Sequence, residues 1–409
     1  MTKKIVILLA ATILLTSIAF AKVPTLTYHG TWYTYSFMWQ NADFNDDTDD
    51  DDQHYYMRGD IGANADFGAG VSTFVRIGAW GTFGRHAITG EGPEGEVGLR
   101  EAYLNIEDLF DLPLYLRVGK QHVLYGDQIN DGGEDGFMGL KVGYQSDMFD
   151  LDLFTYRLQE GGGTDFIGTG YHDESDWNLH GLWASLKFPD YGFNINPYFF
   201  YRDWLDDEPM WVGLRSDGTP VKGLEYALEF TTMMGSDADD VDYKGMHYMG
   251  RLGYTLPTIP LSFGVSSTAF TGDDDPADDE NNLYESPTWG GYAFDFYKDW
   301  PGFGPAHLLR TAAGFACLAP WDHMMTNLNV INANIGYTWG PLTIRADFFN
   351  YARDEADETD MGNEIALLLK YTYKETITFG GTVGYWMPGD YFPGEDDMIG
   401  GYIWTSIGF

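Results

Sequence analysis

The residues most able to do chemistry in this chain are single basic side chains set into apolar stretches. Arg58, Arg76, Arg117 and Arg345 each stand between apolar or glycine neighbours, and Arg251 and Lys370 sit in similar surroundings. A row of such cations facing a water-filled channel would select anions, because a lumen discriminates through the charged groups at its narrowest ring. Asp60, Glu101 and Asp347 lie close enough to act as partners. The same cations would then form a lattice of ion pairs that holds a wall in shape. The residue types allow both roles, and one does not exclude the other. Lys120 falls on the opposite parity to Arg117, but it lies near a strand end where its long stem can turn inward.

The other candidates are weaker. Seven Asp fall within Asp43 to Asp52, and similar acidic runs occupy Gly272 to Asn282, Asp237 to Asp242 and Asp354 to Asp360. Such runs are commonly solvated loop tips. Their carboxylates also suit divalent cations, so Asp46, Asp47, Asp49 and Asp50 are a weak site for Ca²⁺ or Mg²⁺. Asp46 to Asp52 lacks the central Gly and terminal Glu of an EF-hand loop. No dedicated metal site and no cofactor are read from the sequence. Gly264-Val265-Ser266-Ser267 is not a nucleophile elbow, and His86, His122, His172, His247, His307 and His323 are scattered. The sequence does not read as an enzyme.

Strands must position these cations. In Tyr55 to Phe67, Tyr55, Met57, Ile61, Ala63, Ala65 and Phe67 share one face and Arg58, Asp60, Asn64 and Asp66 the other. The same period of two runs through Val71 to Gly81, Leu114 to Gln121 and Leu342 to Phe348, which marks strands with an apolar and a wet side. A two-sheet sandwich would alternate as well, and the connections separate the two folds. Short turns at Gly68-Ala69-Gly70, Pro189-Asp190, Pro257 to Pro260, Gly340-Pro341 and Lys374-Glu375 alternate with long acidic loops. Tight turns on one side and long loops on the other are the pattern of an outer-membrane barrel.

Both ends of the chain then belong on the short-turn side, so the strand number is even. Counting predicts an all-β fold, a transmembrane antiparallel β-barrel of eighteen strands. Parity between Trp204 and Met234 is kept by a short strand at Pro209 to Arg215 that turns at Ser216-Asp217-Gly218. Sixteen strands follow if that hairpin is lost. Residues 271–325 form one long external excursion, rich in Trp289, Tyr292, Phe294, Phe296, Tyr297, Trp300 and Phe303. A connection of that length needs a role. It either folds into the lumen as a constriction or packs against neighbouring loops at the rim.

Composition and the chain ends agree. Residues 1–21 read as a cleaved signal peptide, with Lys3 and Lys4, an apolar run from Ile5 to Ile18, and Ala19-Phe20-Ala21 as the cleavage site. Residues 22–409 are then the barrel. The chain carries 28 Tyr, 13 Trp and 51 Gly, which suits amphipathic aromatic girdles and bent strands. A net charge of −39 excludes nucleic acid as a partner. Its single cysteine, Cys317, excludes an internal disulfide. Tyr402-Ile403-Trp404-Thr405-Ser406-Ile407-Gly408-Phe409 ends the chain on an aromatic residue. Such an end resembles the signal read by the barrel-assembly machinery of Gram-negative bacteria.

Two segments resemble the alginate-export family of outer-membrane proteins. The first is Leu99-Arg100-Glu101-Ala102-Tyr103-Leu104, then Leu114-Tyr115-Leu116-Arg117-Val118-Gly119-Lys120-Gln121 and Tyr125-Gly126-Asp127. The second runs from Gly362-Asn363-Glu364-Ile365 through Gly384-Tyr385-Trp386-Met387-Pro388-Gly389 to Phe409. Together they cover about a third of the chain. The resemblance implies an eighteen-stranded porin-like barrel that passes sugar-derived polymers or small solutes. Family members that export alginate have a strongly basic constriction, whereas this chain has only 23 Lys and Arg against 62 Asp and Glu. That difference argues against alginate itself.

The expected function is an outer-membrane pore or exporter for small anionic or sugar-derived solutes. Arg58, Arg76, Arg117, Lys120, Arg251, Arg345, Lys370, Asp60, Glu101 and Asp347 would line it. The competing reading is a non-conducting structural or binding barrel whose acidic loops hold cations. Outer-membrane lipid and lipopolysaccharide are partners in either case.

Overall fold

The computed structural model describes residues 23–84 except 43 and 48–50, residues 94–159 except 127–128 and 131–135, and residues 177–288 except 204–206, 238 and 276. It also describes 306 and 308, and 326–409 except 393 and 395. The signal segment 1–21 lies outside them.

Eighteen antiparallel strands form one sheet. They are β1 Thr25–Gln40, β2 Asp52–Gly68, β3 Val71–Gly84, β4 Glu94–Ile106, β5 Leu114–Gln121 and β6 Phe137–Gln145. Next come β7 Phe149–Gln159, β8 Trp177–Phe188, β9 Phe193–Asp203, β10 Met210–Val221, β11 Leu224–Met234 and β12 Met246–Thr255. The last six are β13 Leu261–Phe270, β14 Leu328–Trp339, β15 Leu342–Ala352, β16 Asp360–Tyr373, β17 Ile377–Pro388 and β18 Met398–Gly408. Each pairs with its sequence neighbours, and β1 pairs with β18 as well as with β2, so the sheet closes into a barrel. Closure matters in lipid, where an unpaired backbone group costs several kcal/mol. The seam runs to the last residue. Gly30 and Phe409 exchange both backbone hydrogen bonds, at 2.9 and 3.0 Å. The Phe409 ring lies over Gly30, where a Cβ would come within 2.0 Å of it.

The two faces of the wall are inverted relative to a soluble protein. Ile61, Val75, Ile77, Leu252, Val265, Ile335, Leu369 and Ile403 point outward and are exposed. Arg58, Asp60, Glu101, Glu229, Asp347 and Glu364 point inward and are buried. An apolar surface this continuous belongs in hydrocarbon. The connections segregate as the sequence predicts: Asp43 to Asp52 joins β1 to β2 at one end, and Pro257 to Pro260 joins β12 to β13 at the other.

One boundary differs. The predicted turn at Ser216-Asp217-Gly218 is strand, and the chain turns at Lys222-Gly223 instead, with Gly223 at φ 85°. The register slips between Gly218 and Val221, so a bulge absorbs Pro220 without ending the strand. Parity is unchanged, because the hairpin is longer rather than lost.

Candidate functional site

From β2 to β6 the inner wall carries a packed cluster of charges. Arg58 Nε donates to Asp60 Oδ2 at 2.8 Å, both side chains buried. Arg100 approaches the other Asp60 oxygen at 3.8 Å, and its guanidinium lies 3.5 Å from the centre of the Trp80 ring. A β-bulge turns Arg100 inward: Arg76 faces Glu101 while Ile77 faces Leu99, leaving Arg100 as the extra residue. Arg76 Nε then lies 3.1 Å from Glu101 Oε2. Gly78 makes room, since a Cβ there would sit 2.4 Å from Asp60 Oδ1. Among the described residues Arg117 has no carboxylate in ion-pair range. Its Nε donates to Asn105 Oδ1 at 3.2 Å and its guanidinium stands 4.6 Å above the Tyr103 ring.

Beside this cluster a loop enters the lumen. β5 and β6 have 8 and 9 residues, against 17 in β2. The chain therefore leaves the wall early, at Gln121, and turns inward. Tyr125 donates to Asp152 Oδ2 at 2.7 Å and stacks on Phe154 with ring centres 4.9 Å apart. Tyr115 donates to the other Asp152 oxygen, and Lys141 Nζ stands 3.7 Å from Oδ2. Gly126, at φ 59°, presses so close to β8 and β11 that a Cβ would be 2.9 Å from Trp183 and 3.0 Å from the Glu229 carboxylate. The Tyr125-Gly126 part of the family-like motif is thus an inward loop at the height of the wall's cations. Asp127 lies outside the described residues.

The long excursion enters as well. Tyr284 is fully buried, 5.6 Å from both His247 and Phe270, which face inward on β12 and β13. Trp211 Nε1 donates to the Glu285 carbonyl at 2.8 Å. Arg202 Nη2 joins Glu285 at 3.1 Å and Asp207 at 3.3 Å. Asp242-Tyr243 pairs in parallel with Glu280-Asn281. Tyr243 donates to Asp207, and burial first, then that bond, keeps its phenol well above its ordinary pKa. Further on, Ala306 and Leu308 are buried against the inner wall. A Cβ on Gly384 of β17 would meet them at 2.7 and 2.9 Å, and one on Gly400 of β18 would meet Leu308 at 2.9 Å. In an eighteen-strand ring, β9–β10 and β17–β18 stand on opposite sides, so the excursion touches the lumen wall at two opposed places. The predicted aromatic run Trp289 to Phe303 lies outside the described residues.

Across from the packed cluster, the wall is open. Arg215 Nη1 pairs with Glu229 at 2.8 Å and Arg345 Nε with Asp347 at 2.8 Å. Arg251 faces the lumen, exposed, with no ion pair or hydrogen bond among the described residues. Lys370 also has inward parity and is exposed. A recess of about 300 Å³ lies between β11 and β15, bordered by Glu225, Arg251, Asn334 and Arg345 and floored by Gly253 and Gly264.

Lys120 does not line the lumen. Its Nζ donates to the Leu99 carbonyl at 2.8 Å, on the outward parity. The β4–β5 ladder ends at Ala102–Lys120, and the ammonium serves the backbone beyond that end. Asp46 and Asp47 are exposed on the first long loop, while Asp49 and Asp50 lie outside the described residues. Among the described residues no cluster of His, Cys, Asp or Glu is placed to hold a metal. The sequence reading missed Arg100, Lys141, Asp152, Arg215 and Glu229. Lys141 and Arg215 show the same alternation as Arg117. Arg100 is hidden by its bulge.

Comparison with curated protein sequences gives no match. Solved structures of outer-membrane channels superpose along nearly the whole chain. The BenF-like porin from Pseudomonas fluorescens Pf-5 has a TM-score of 0.62 at 12% identity, covering 94% of this chain and 98% of its own. Acinetobacter baumannii OccAB4 gives 0.61 at 11% identity, covering 95% and 99%. Pseudomonas aeruginosa OccK2 (OpdF), solved in complex with glucuronate, gives 0.60 at 11% identity, covering 94% and 98%. The alginate export family matches residues 29–298. That match spans well over half of the sequence and contains the bulged Arg100, the inward Tyr125 loop and most of the charged wall: the chain belongs to the alginate export family of outer-membrane β-barrels.

Proposed function

We propose that the barrel is a pore for small anionic, sugar-derived solutes. The carrying observation is that the Tyr125 loop reaches the wall at the height of two basic arcs. Arg76, Arg100, Arg117 and Lys141 stand on one side, and Arg215, Arg251 and Arg345 on the other. Solutes are thus brought to contact range of these cations, where little water lies between and charge acts strongly. The acids of the long loops face bulk water, and at physiological salt their field decays over about 8 Å. Selection therefore rests with the wall, and the loops tune arrival. OccK2, a barrel of the same fold, was solved with glucuronate, a solute of this class. Outer-membrane lipid and lipopolysaccharide around the apolar wall belong to the same proposal. So do the barrel-assembly machinery at Phe409 and weak Ca²⁺ or Mg²⁺ binding by loop acids. No cofactor enters it. Purified protein in a planar bilayer under a KCl gradient tests the reading: the reversal potential should show anion preference, and cation preference would overturn it.

A further inference from the structure

We propose that the recess between β11 and β15 is a binding subsite for one hydroxylated monocarboxylate of sugar size, with Arg251 taking the carboxylate. This rests on the anion-pore reading above and adds a location and a ligand chemistry to it.

Three observations point to Arg251. Its neighbours in charge are already engaged: Arg58, Arg76, Arg215 and Arg345 by carboxylates, and Arg117 by an amide and a ring. Arg251 alone of these six has no described partner, and its five N–H donors face the lumen. A planar fork of that kind matches a carboxylate bidentately.

The recess beside it is opened by a missing side chain at Gly253, while the Asn334 amide lies over Gly264, 2.7 Å from where its Cβ would be. Gly253 and Gly264 face each other across the β12–β13 pair. A Cβ on Gly253 would find nothing nearer than the Phe263 carbonyl at 4.0 Å, so the floor is open. At about 300 Å³ the space lies at the lower end of small-molecule sites, roughly 300–1,000 Å³. One sugar ring fits there, and a polymer would have to thread past.

The border then decides the class of ligand. Asp347 engages Arg345, and Glu225 also borders the recess, so charge alone does not distinguish one anion from another there. Amides and hydroxyls make up the rest. Asn334 Nδ2 donates to Asn332 Oδ1 at 2.9 Å, and Asn332 Nδ2 to Asp347 Oδ1 at 3.4 Å. That chain leaves the Asn334 side-chain oxygen as an acceptor, with Ser262 and Glu225 nearby on the border. Mixed donors and acceptors around one cation suit a ligand carrying several hydroxyls and one carboxylate better than chloride or phosphate.

The test uses the full-length protein in planar bilayers with sodium glucuronate as probe and glucose as its neutral counterpart. Interruptions of single-channel current give the binding constant. The wild-type channel should be interrupted by glucuronate more strongly than by glucose. R251Q should weaken glucuronate binding about tenfold and leave glucose unchanged. G253L, which fills the floor and leaves every charge in the chain unchanged, should remove both. Unaltered interruption in R251Q, unaltered interruption in G253L, or none in the wild type would each overturn the subsite. The wild-type reversal potential in the same membranes keeps the two readings apart. Cation preference would overturn the pore proposal itself, whereas anion preference with unaltered R251Q overturns only the subsite.

Discussion

The arc from β2 to β6 and the arc from β12 to β15 stand on opposite sides of the lumen and use arginine for different ends. In the first, Arg58, Arg76 and Arg100 are closed off by Asp60, Glu101 and the Trp80 ring, with Gly78 cleared to let them pack. In the second, the space over Gly253 is left open while Asn334 covers Gly264, and Arg251 beside it has no ion pair or hydrogen bond among the described residues. A buried pair is strongly destabilised when one partner is lost, because the survivor is an uncompensated charge. An exposed cation has no such dependence. The role of a wall arginine therefore follows from whether the fold supplies its counter-charge, not from the residue type.

Breaking the closed arc should give the largest effect. Asp60→Asn removes a carboxylate that Arg58 and Arg100 share, and should destabilise the barrel by about 3–5 kcal/mol. Thermal unfolding in detergent, followed by heat-modifiable gel mobility, measures it. A loss within 1 kcal/mol would show that the two arcs do not differ in kind. Arg251→Gln should leave that same unfolding transition in place.

The next effect concerns what lies between the arcs. Replacing Asp273 to Pro320 by a short Gly-Ser link removes the contacts of Tyr284, Glu285, Ala306 and Leu308, and should raise single-channel conductance severalfold. Unchanged conductance would place the excursion outside the ion path. Tyr125→Phe removes one charge-assisted hydrogen bond to Asp152, worth about 1.5–3 kcal/mol. It should loosen the inward loop, giving a noisier and moderately wider channel. A quiet trace of wild-type conductance would mean that packing on Phe154 alone holds the loop.

The smallest expected shifts compare wall with mouth. Arg117→Gln combined with Arg345→Gln should move the reversal potential toward cations. Neutralising the acids from Asp46 to Asp52 should move it less, and less still at high salt. The opposite ranking would make the acidic loops the filter and the wall cations a lattice.

Much of this was legible in the sequence because membrane strands obey two strict rules. Alternation places Arg58, Arg76, Arg117, Arg251, Arg345 and Lys370 on the inner face, and the alternation of short and long connections leads to eighteen strands. The failures share a cause: each is an extra residue or a tertiary contact. The bulge at Gly218–Val221 looks like a turn because Asp, Gly and Pro sit together. The bulge at Arg100 breaks parity for one residue. Lys120 follows its parity outward although its stem is long enough to turn. The descent of the Tyr125 loop depends on Asp152 and Phe154, which lie a hairpin away and carry no local mark. The excursion was recognisable as unusual from its length, but its contacts with Gly384 and Gly400 were not.

The double hydrogen bond between Gly30 and Phe409 bears on how such a molecule comes to exist. The strands it joins are nearly the whole chain apart, so the ring cannot be completed until the last strand is available. Contacts of such high sequence separation slow folding, since the entropy of closing the loop is lost before the contact rewards it. Until then β1 and the growing edge are unpaired, and each is a template for the wrong strand. The barrel's biogenesis is thus a race between correct closure and edge-to-edge aggregation. A truncation that removes only Gly408 and Phe409 should slow assembly far more than it weakens the finished wall.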